Sequence, residues 1–514
     1  MYNKRVKTFY FVTVAAFIFI FAWVLCNVAL NNPSNDFNPL FVIAGAAAVI
    51  ALFRFIYVRI NGLDAERLKR NEKKILAIYF GVLFITQTAV GFLLSIAPMW
   101  DLGAVFFGAK NLAVYGGLRD YAQYFQYFPN TWGNLLVLYI PFKLLAALGA
   151  GYDSYAYFAA GMLLNVILID LSVVFLYLAC KIRFGIKGSV FAIALVCFVP
   201  VVFVFKAPVF YSDTLSMFAP IAAYYLYLKQ ENSRRRLVCF ILIGITAGIG
   251  YHIKGTPVLM LAAILIDMLF RINKANAKKT AVYATAALLS ALAVIMTMKP
   301  VVYASGILDK SAVDRDAQTP SFFIMMGLQG NGGYNPSEYD FARAIADPAE
   351  REAAQRAKII ERLKAFKTKG LIEFFTNKSV YTWGDGTYET RDFLDYDPLF
   401  PNFLHKFLLA SGEYYGLFAF VCQCIHMAFM ALVVCCLYYG VKNRDASALP
   451  VVYAFIAVFA FFLFYETKAR VFMNFYPVII ALAADGAMKL KTLKTLKTLK
   501  QLIDRSKTTE IRGN

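Results

Sequence analysis

Asp101 stands in the string Pro98-Met99-Trp100-Asp101, where a hydrophobic run of membrane length breaks before the chain turns apolar again. A carboxylate beside apolar surface at such a boundary is expected to have a raised pKa, and general-base catalysis is the chemistry that suits it. Asp is equally a preferred helix N-cap, so residue type alone leaves both readings open. Further along, KAPVFYSDTLSMF (206–218) brings Lys206, Tyr211 and Asp213 to one run end, and YHIKGT (251–256) adds His252 and Lys254. FYETKARVFMNFYP (464–477) sets Glu466, Lys468 and Arg470 between two apolar runs. A single Lys or Arg at a span end commonly snorkels. Several acids and bases recurring at the same kind of boundary read instead as one polar site, where a carboxylate takes a proton and the cations hold an anion such as phosphate.

The elements that must position these residues are membrane helices. Of 514 residues, 60% are hydrophobic and 16% charged, against roughly a quarter charged in a soluble domain. Apolar runs of about 20 residues, enough to cross the hydrocarbon core, fill most of the chain. They predict spans near 8–30, 39–59, 75–98, 157–180, 188–205, 212–229, 236–252, 256–271, 280–299, 411–440, 447–465 and 471–488. The fold class is therefore an all-α polytopic membrane protein with about 12 transmembrane helices and two large extracytoplasmic loops. The first run is long enough to span and lacks a small-residue cleavage site, so it reads as a helix and not a cleaved leader.

The net charge of +20 would suggest nucleic acid in a soluble protein. Here the bases gather in short loops between apolar runs, where they orient spans, which argues against nucleic acid as a partner. The eight cysteines all lie in apolar runs and read as small core residues. Cys422, Cys424 and His426 form a C-x-C-x-H string inside a predicted span, with no fourth metal ligand nearby.

Loop charges then order the chain. RINGLDAERLKRNEKK (59–74), KIRFGIKG (181–188), KQENSRRR (229–236), RINKANAKK (271–279) and VKNR (441–444) all fall on the cytoplasmic side, together with both termini, if residues 131–150 do not cross. That segment carries Pro141 and Lys143 and reads as a helix lying in or dipping into the outer interface, the alternative being an ordinary span with a locally broken charge rule. The layout becomes N-terminal helices (1–98), a first extracytoplasmic loop (99–156), central helices (157–299), a large extracytoplasmic loop (300–410), C-terminal helices (411–488) and a basic cytoplasmic tail (489–514). Within the large loop, PAEREAAQRAKIIERLKAF (348–366) is a helix with acids early and bases late. Tyr334, Trp383 and Tyr388 either stack on sugar faces or pack in the loop's own small core. The tail repeat KTLKTLKTLK (491–500) suits anionic lipid of the cytoplasmic leaflet or simple solvation.

WDLGAVFFGAKNL, YFPNTWGNLLVLYIPFKL, YSDTLSMF and ETKARVFMNFYP, in that order and layout, resemble the GT-C superfamily of polytopic membrane glycosyltransferases, the group that includes protein O-mannosyltransferases and aminoarabinose transferases. The Pro-Pro pair of that group is replaced here by Pro129 and Asn130. The resemblance implies a polyprenyl-phosphate-linked sugar donor and an extracytoplasmic cell-envelope acceptor, be it glycan, lipid or protein. It implies that Asp101 is the base for the acceptor hydroxyl, and that Asp213, a second catalytic acid, positions the acceptor or a divalent ion. It further implies that Arg470, in an E-x-x-x-R arrangement with Glu466, meets the lipid phosphate. Lys206 and Lys254 are further candidates for donor-phosphate binding, with Tyr211 and His252 in support. Chemistry agrees: a lipid phosphate leaves readily, so transfer needs a base and cations more than a strong acid, and one carboxylate opposite the leaving group gives inversion. The rival reading is a lipid or polysaccharide transporter or flippase, for which Asp170 and Asp267 inside spans would matter.

Overall fold

The structure, a computed structural model, describes residues 4–32, 36–231 and 233–490; the KTLKTLKTLK repeat lies outside them. The described chain is helical, its β structure limited to one isolated bridge between Ile96 and Pro398. Among the described residues, seven helices are long and apolar enough to cross a membrane: Val6–Leu30, Pro39–Asn61, Ala65–Leu93, Ala156–Val196, Arg236–Ile253, Ala277–Ala304 and Tyr415–Lys442. Val258–Phe270 and Leu449–Phe464 are shorter apolar helices. The all-α polytopic class expected from the sequence is the one found.

Local chemistry sets the boundaries. Asn38 caps Pro39–Asn61 by accepting from the Leu40 N–H, with Pro39 fixing the first turn, and Asp64 caps Ala65–Leu93 by accepting from the Glu66 N–H. The short turn between these helices thus consists of little more than a cap. Ala156–Val196 is broken at Gly185, whose φ of 73° is left-handed. A continuous 41-residue helix would run about 60 Å. Yet Asn165 donates to the backbone oxygens of Lys206 and Ala207 at 2.9 and 3.1 Å. The chain therefore doubles back at Gly185, and the two spans expected around KIRFGIKG form a tight helical hairpin.

The basic loops meet on one face. Lys181 pairs with Glu72 at 2.7 Å, Lys187 donates to the Asn61 carbonyl at 2.7 Å, and Arg183 bridges Asp485 and Ser447 at 3.2 Å each. Arg271 pairs with Glu231 at 2.9 Å, and the Phe270 ring beside it packs on Phe9 and Tyr453. At the opposite ends of the same helices, Asn402 donates to Leu93 O at 2.7 Å and Asn32 to Gly384 O at 2.6 Å. The 300–410 region covers that second face.

The helix Trp132–Ala147 begins and ends on the second face. At its start Asn134 donates to Ile253 O at 2.9 Å. Just after its end Tyr157 donates to Ala150 O at 3.0 Å, and Tyr155 meets Ser95 at 2.6 Å. Its Lys143 is tied to Ala113 O at 3.1 Å, on the helix Trp100–Tyr115. Both ends therefore meet the same ends of the surrounding spans.

The helix Pro348–Ala365 forms as its charges suggest, with Asp347 capping through Ala349 N and Glu350 N at 2.9 Å each. Arg362 then ties it to Glu338 at 2.6 Å. The next helix, Lys367–Trp383, runs into the wall of the site.

Candidate functional site

The site is built where three chain breaks meet. Tyr211 and Asp213 stand in the irregular stretch between the hairpin and the helix Phe218–Gln230, with Asp213 in a single turn, Ser212–Leu215. Lys254 directly follows the helix Arg236–Ile253 with extended backbone, φ −156° and ψ 135°. Glu466, Lys468 and Arg470 lie between Leu449–Phe464 and Tyr476–Lys489.

The three meet at Asp213. Lys254 Nζ pairs with its Oδ1 and Arg470 Nη1 with its Oδ2, while Arg470 Nε also reaches Glu389 at 3.5 Å. Burial favours the neutral acid, but the two cations outweigh it and hold the Asp213 carboxyl at about 2. Burial likewise disfavours the charged Arg470, and Asp213 and Glu389 reverse this to push its pKa up. Phe393 lies under both Arg470, at 5.1 Å, and Lys206, at 5.2 Å. Lys206 donates to Tyr388 O at 3.1 Å. Its burial and the nearby Arg470 bring it down to about 8, against the pull of Asp213 and Glu389.

The other two acids are differently placed. Asp101 is exposed in the first turn of Trp100–Tyr115, where the cap position is Met99, so Asp101 is not the N-cap. Tyr124 Oη donates to it at 2.9 Å. Trp100 just before it holds a left-handed φ of 50°, a strained conformation of the kind that gathers at functional sites. Glu466 is pushed up to about 7 by burial and by the charge of Asp101, against Lys468, Arg470 and Lys378. The charge of Asp101 is thus felt at Glu466.

The backbone under Glu466 is fixed. Its N–H donates to Phe323 O at 2.9 Å and the Thr467 N–H to Gly332 O at 2.8 Å. Lys378, fully buried, donates to Gly327 O and, at 2.8 Å, to Tyr465 O. Burial brings it down to about 7, opposed by Glu466. The glycine-rich stretch 327–333 is thereby stapled to the ETKAR segment.

Of the residues expected from the sequence, Asp101, Lys206, Tyr211, Asp213, Lys254, Glu466 and Arg470 come together. His252 does not: still helical, it turns its ring to Val294 O at 2.9 Å on the helix Ala277–Ala304. Asp213, which the resemblance also offered for a divalent ion, is engaged by cations here. Both its oxygens are taken by cations, and among the described residues no three His, Cys, Asp or Glu side chains gather as a metal site. The ring nitrogens of His426 are engaged at 2.8 Å by Tyr388 Oη and at 2.7 Å by Trp383 O, so Cys422, Cys424 and His426 are core residues. Trp383 and Tyr388, each 1% exposed, pack inside rather than offering a face to sugar; Trp383 stacks on Phe472 at 4.1 Å. Tyr334 is 52% exposed. Asp267, inside a predicted span, is anchored by Arg271 at 2.8 Å. Sequence reasoning missed Glu389, Tyr124 and Lys378; a lone lysine in the apolar run LIEFFTNKSVYTW was a legible signal for the last.

Fold and site together define an all-helical, polytopic integral membrane protein with a charged cluster at one end of its spans. The chain belongs to the family described as conserved hypothetical integral membrane protein, whose model matches residues 1–489. No curated protein matches it. Among solved structures it is similar to the archaeal oligosaccharyltransferase AglB from Archaeoglobus fulgidus in complex with an inhibitory peptide and a dolichol-phosphate. That similarity has a TM-score of 0.43 and 13% identity over 83% of this chain and 52% of that one. It is also similar to the Archaeoglobus fulgidus oligosaccharyltransferase tethered with an acceptor peptide, with TM-score 0.30 and 12% identity over 80% of this chain and 55% of that one. The chain thus spans about half the length of both.

Proposed function

We propose that the protein is a membrane glycosyltransferase that moves a sugar from a polyprenyl-phosphate carrier to an acceptor of the cell envelope, with the site on the outer face and both termini cytoplasmic. The observation that carries this reading is the division of labour among the clustered charges. Asp213, held at about 2 by two cations, is too weak a base to take a proton; it suits the task of aiming Lys254 and Arg470. Asp101, exposed and aligned by Tyr124, suits the base.

In the proposed reaction Asp101 takes the proton of the acceptor hydroxyl as its oxygen bonds to the anomeric carbon and the bond from that carbon to the phosphate oxygen breaks. The departing phosphate carries the electron pair, and Arg470, Lys254 and Lys206 balance its charge. A single displacement of this kind inverts the anomeric centre. Pre-pairing of the cations with Asp213 and Glu389 keeps them solvated by protein before the carrier arrives. The finer identities, polyprenyl carrier and envelope acceptor, rest on the motif resemblance.

The test uses protein purified in liposomes with a labelled polyprenyl-phosphate sugar. Asp101→Asn is expected to cut transfer by roughly 10²- to 10⁴-fold with carrier binding unchanged, whereas Arg470→Ala weakens carrier binding as well. A folded Asp101→Asn protein with near-normal transfer removes Asp101 as the base. Movement of an intact lipid-linked sugar across the bilayer without glycosidic transfer would favour the transporter reading, to which Asp170, with Oδ1 unpartnered, lends what support it has.

A further inference from the structure

The segment Gly384–Glu389 is a wall with two sides. Glu389 looks towards Arg470, while Asp385 and Thr387 border a cavity of about 370 Å³ together with Asp36, Phe37, Tyr415 and Gln423. A second cavity of about 280 Å³ shares Asp36, Phe37 and Gln423 and extends to Asn31 and Asn32. Neither contains a residue of the charged cluster.

Gln423 is 2% exposed and borders both cavities. Its Oε1 accepts from the Gly386 N–H at 2.9 Å, which fixes the orientation of the amide and leaves Nε2 with no acceptor among the described residues. A buried donor without a partner is costly, and an acceptor entering a cavity that Gln423 borders would relieve that cost. Asp385 is already spent on shaping the wall, its Oδ1 accepting from Thr387 N and Oγ1 at 2.7 Å each and its Oδ2 from Glu389 N at 3.0 Å.

The lining selects its ligand. Two carboxylates, Asp36 and Asp385, border the cavity, and no Lys or Arg is among the described lining residues. Arg391, which lies over the ring of the lining residue Tyr415 at 5.8 Å, pairs with Asp392 at 3.4 Å. A phosphate or carboxylate would be repelled there. A hydroxyl both accepts from the Gln423 amide and donates to a carboxylate, and Tyr415 and Phe37 add aromatic surface to the lining. Leu40, Phe41, Leu417 and Val421 are exposed on the two helices that frame the cavity, as lipid-facing side chains would be. We infer that this cavity is a second binding site, for a neutral, hydroxyl-rich group such as the sugar head of a glycolipid. It does not depend on the transfer reaction proposed above.

The test is native mass spectrometry of the full chain released from phosphatidylcholine nanodiscs doped with either monoglucosyl diacylglycerol or phosphatidylglycerol. The glucolipid should be retained in preference by roughly tenfold or more. Methyl glucoside in the buffer distinguishes the sources: competition assigns the site to any neutral sugar, and its failure assigns it to a lipid-borne one. Gln423→Glu keeps the acceptor for Gly386 but removes the free donor and adds charge, and Ala419→Leu fills the cavity without touching a hydrogen bond. Both should abolish the preference, Ala419→Leu with the melting temperature unchanged and Gln423→Glu with a lowered one, because its carboxylate is buried and shares the cavity with Asp36 and Asp385. Equal retention of phosphatidylglycerol, or undiminished glucolipid retention in both variants, overturns the inference.

Discussion

Asp213→Asn isolates the interaction on which the site is built. The carboxylate is 9% exposed and holds Lys254, 14% exposed, and Arg470, 13% exposed. Its pKa falls from 3.8 to about 2, which corresponds to about 2–3 kcal/mol in favour of the charged form. Removing one partner of a buried ion pair costs ~3–5 kcal/mol in general. Two features keep the cost here towards the lower end. Arg470 retains Glu389 at 3.5 Å, and Lys254, already pushed down by burial, sheds its proton more readily once Asp213 no longer opposes that. The expectation is a loss of about 2–4 kcal/mol at pH 7, read as a lowered melting temperature in detergent. Because the folded pKa is depressed, the wild-type advantage is fully present above about pH 4 and fades as pH falls through about 2. Adding Lys254→Met should recover about 1 kcal/mol or more, since the pair is directly coupled. A single variant as stable as the parent, or a double variant no better than the single, would refute the argument that Asp213 anchors two cations.

Three further outcomes follow from the same geometry. Glu466, poised at about 7, gains charge as pH rises through neutrality, so carrier-phosphate affinity should decline across that range and Glu466→Gln should flatten the profile; an unchanged profile in the variant counts against it. A Cβ on Gly133 would press into the His252 carbonyl, a backbone contact that cannot swing aside, so Gly133→Ala should lower the melting temperature more than Gly117→Ala, where the added carbon meets nothing. Cysteines at the exposed positions Asp120 and Asp153, in a background lacking the native ones, should both react with an impermeant thiol reagent added from outside; labelling of one alone would mean that Trp132–Ala147 crosses.

By itself the sequence determined the class of the protein and the ends at which its polar residues would lie. Apolar runs are a local property, and hydrocarbon thickness turns their length directly into helices. The charged strings that interrupt them can hardly sit anywhere but at helix ends, which is why Asp101, Asp213, Lys254 and Arg470 were legible. Tertiary structure decided what each one does. Arg470 and Asp213 are 257 positions apart, and no pattern along the chain says that one carboxylate will meet two cations and so lose its use as a base. His252 and Lys254 look equivalent in YHIKGT. The helix, however, carries on through Ile253, sending the His252 ring to a neighbouring helix, and only the extended backbone at Lys254 turns its ammonium to Asp213. Glu389 and Lys378 join the site because the 300–410 region folds back over the spans. In each case burial and the choice of partner fix a side chain's charge and role, and both are set by long-range packing.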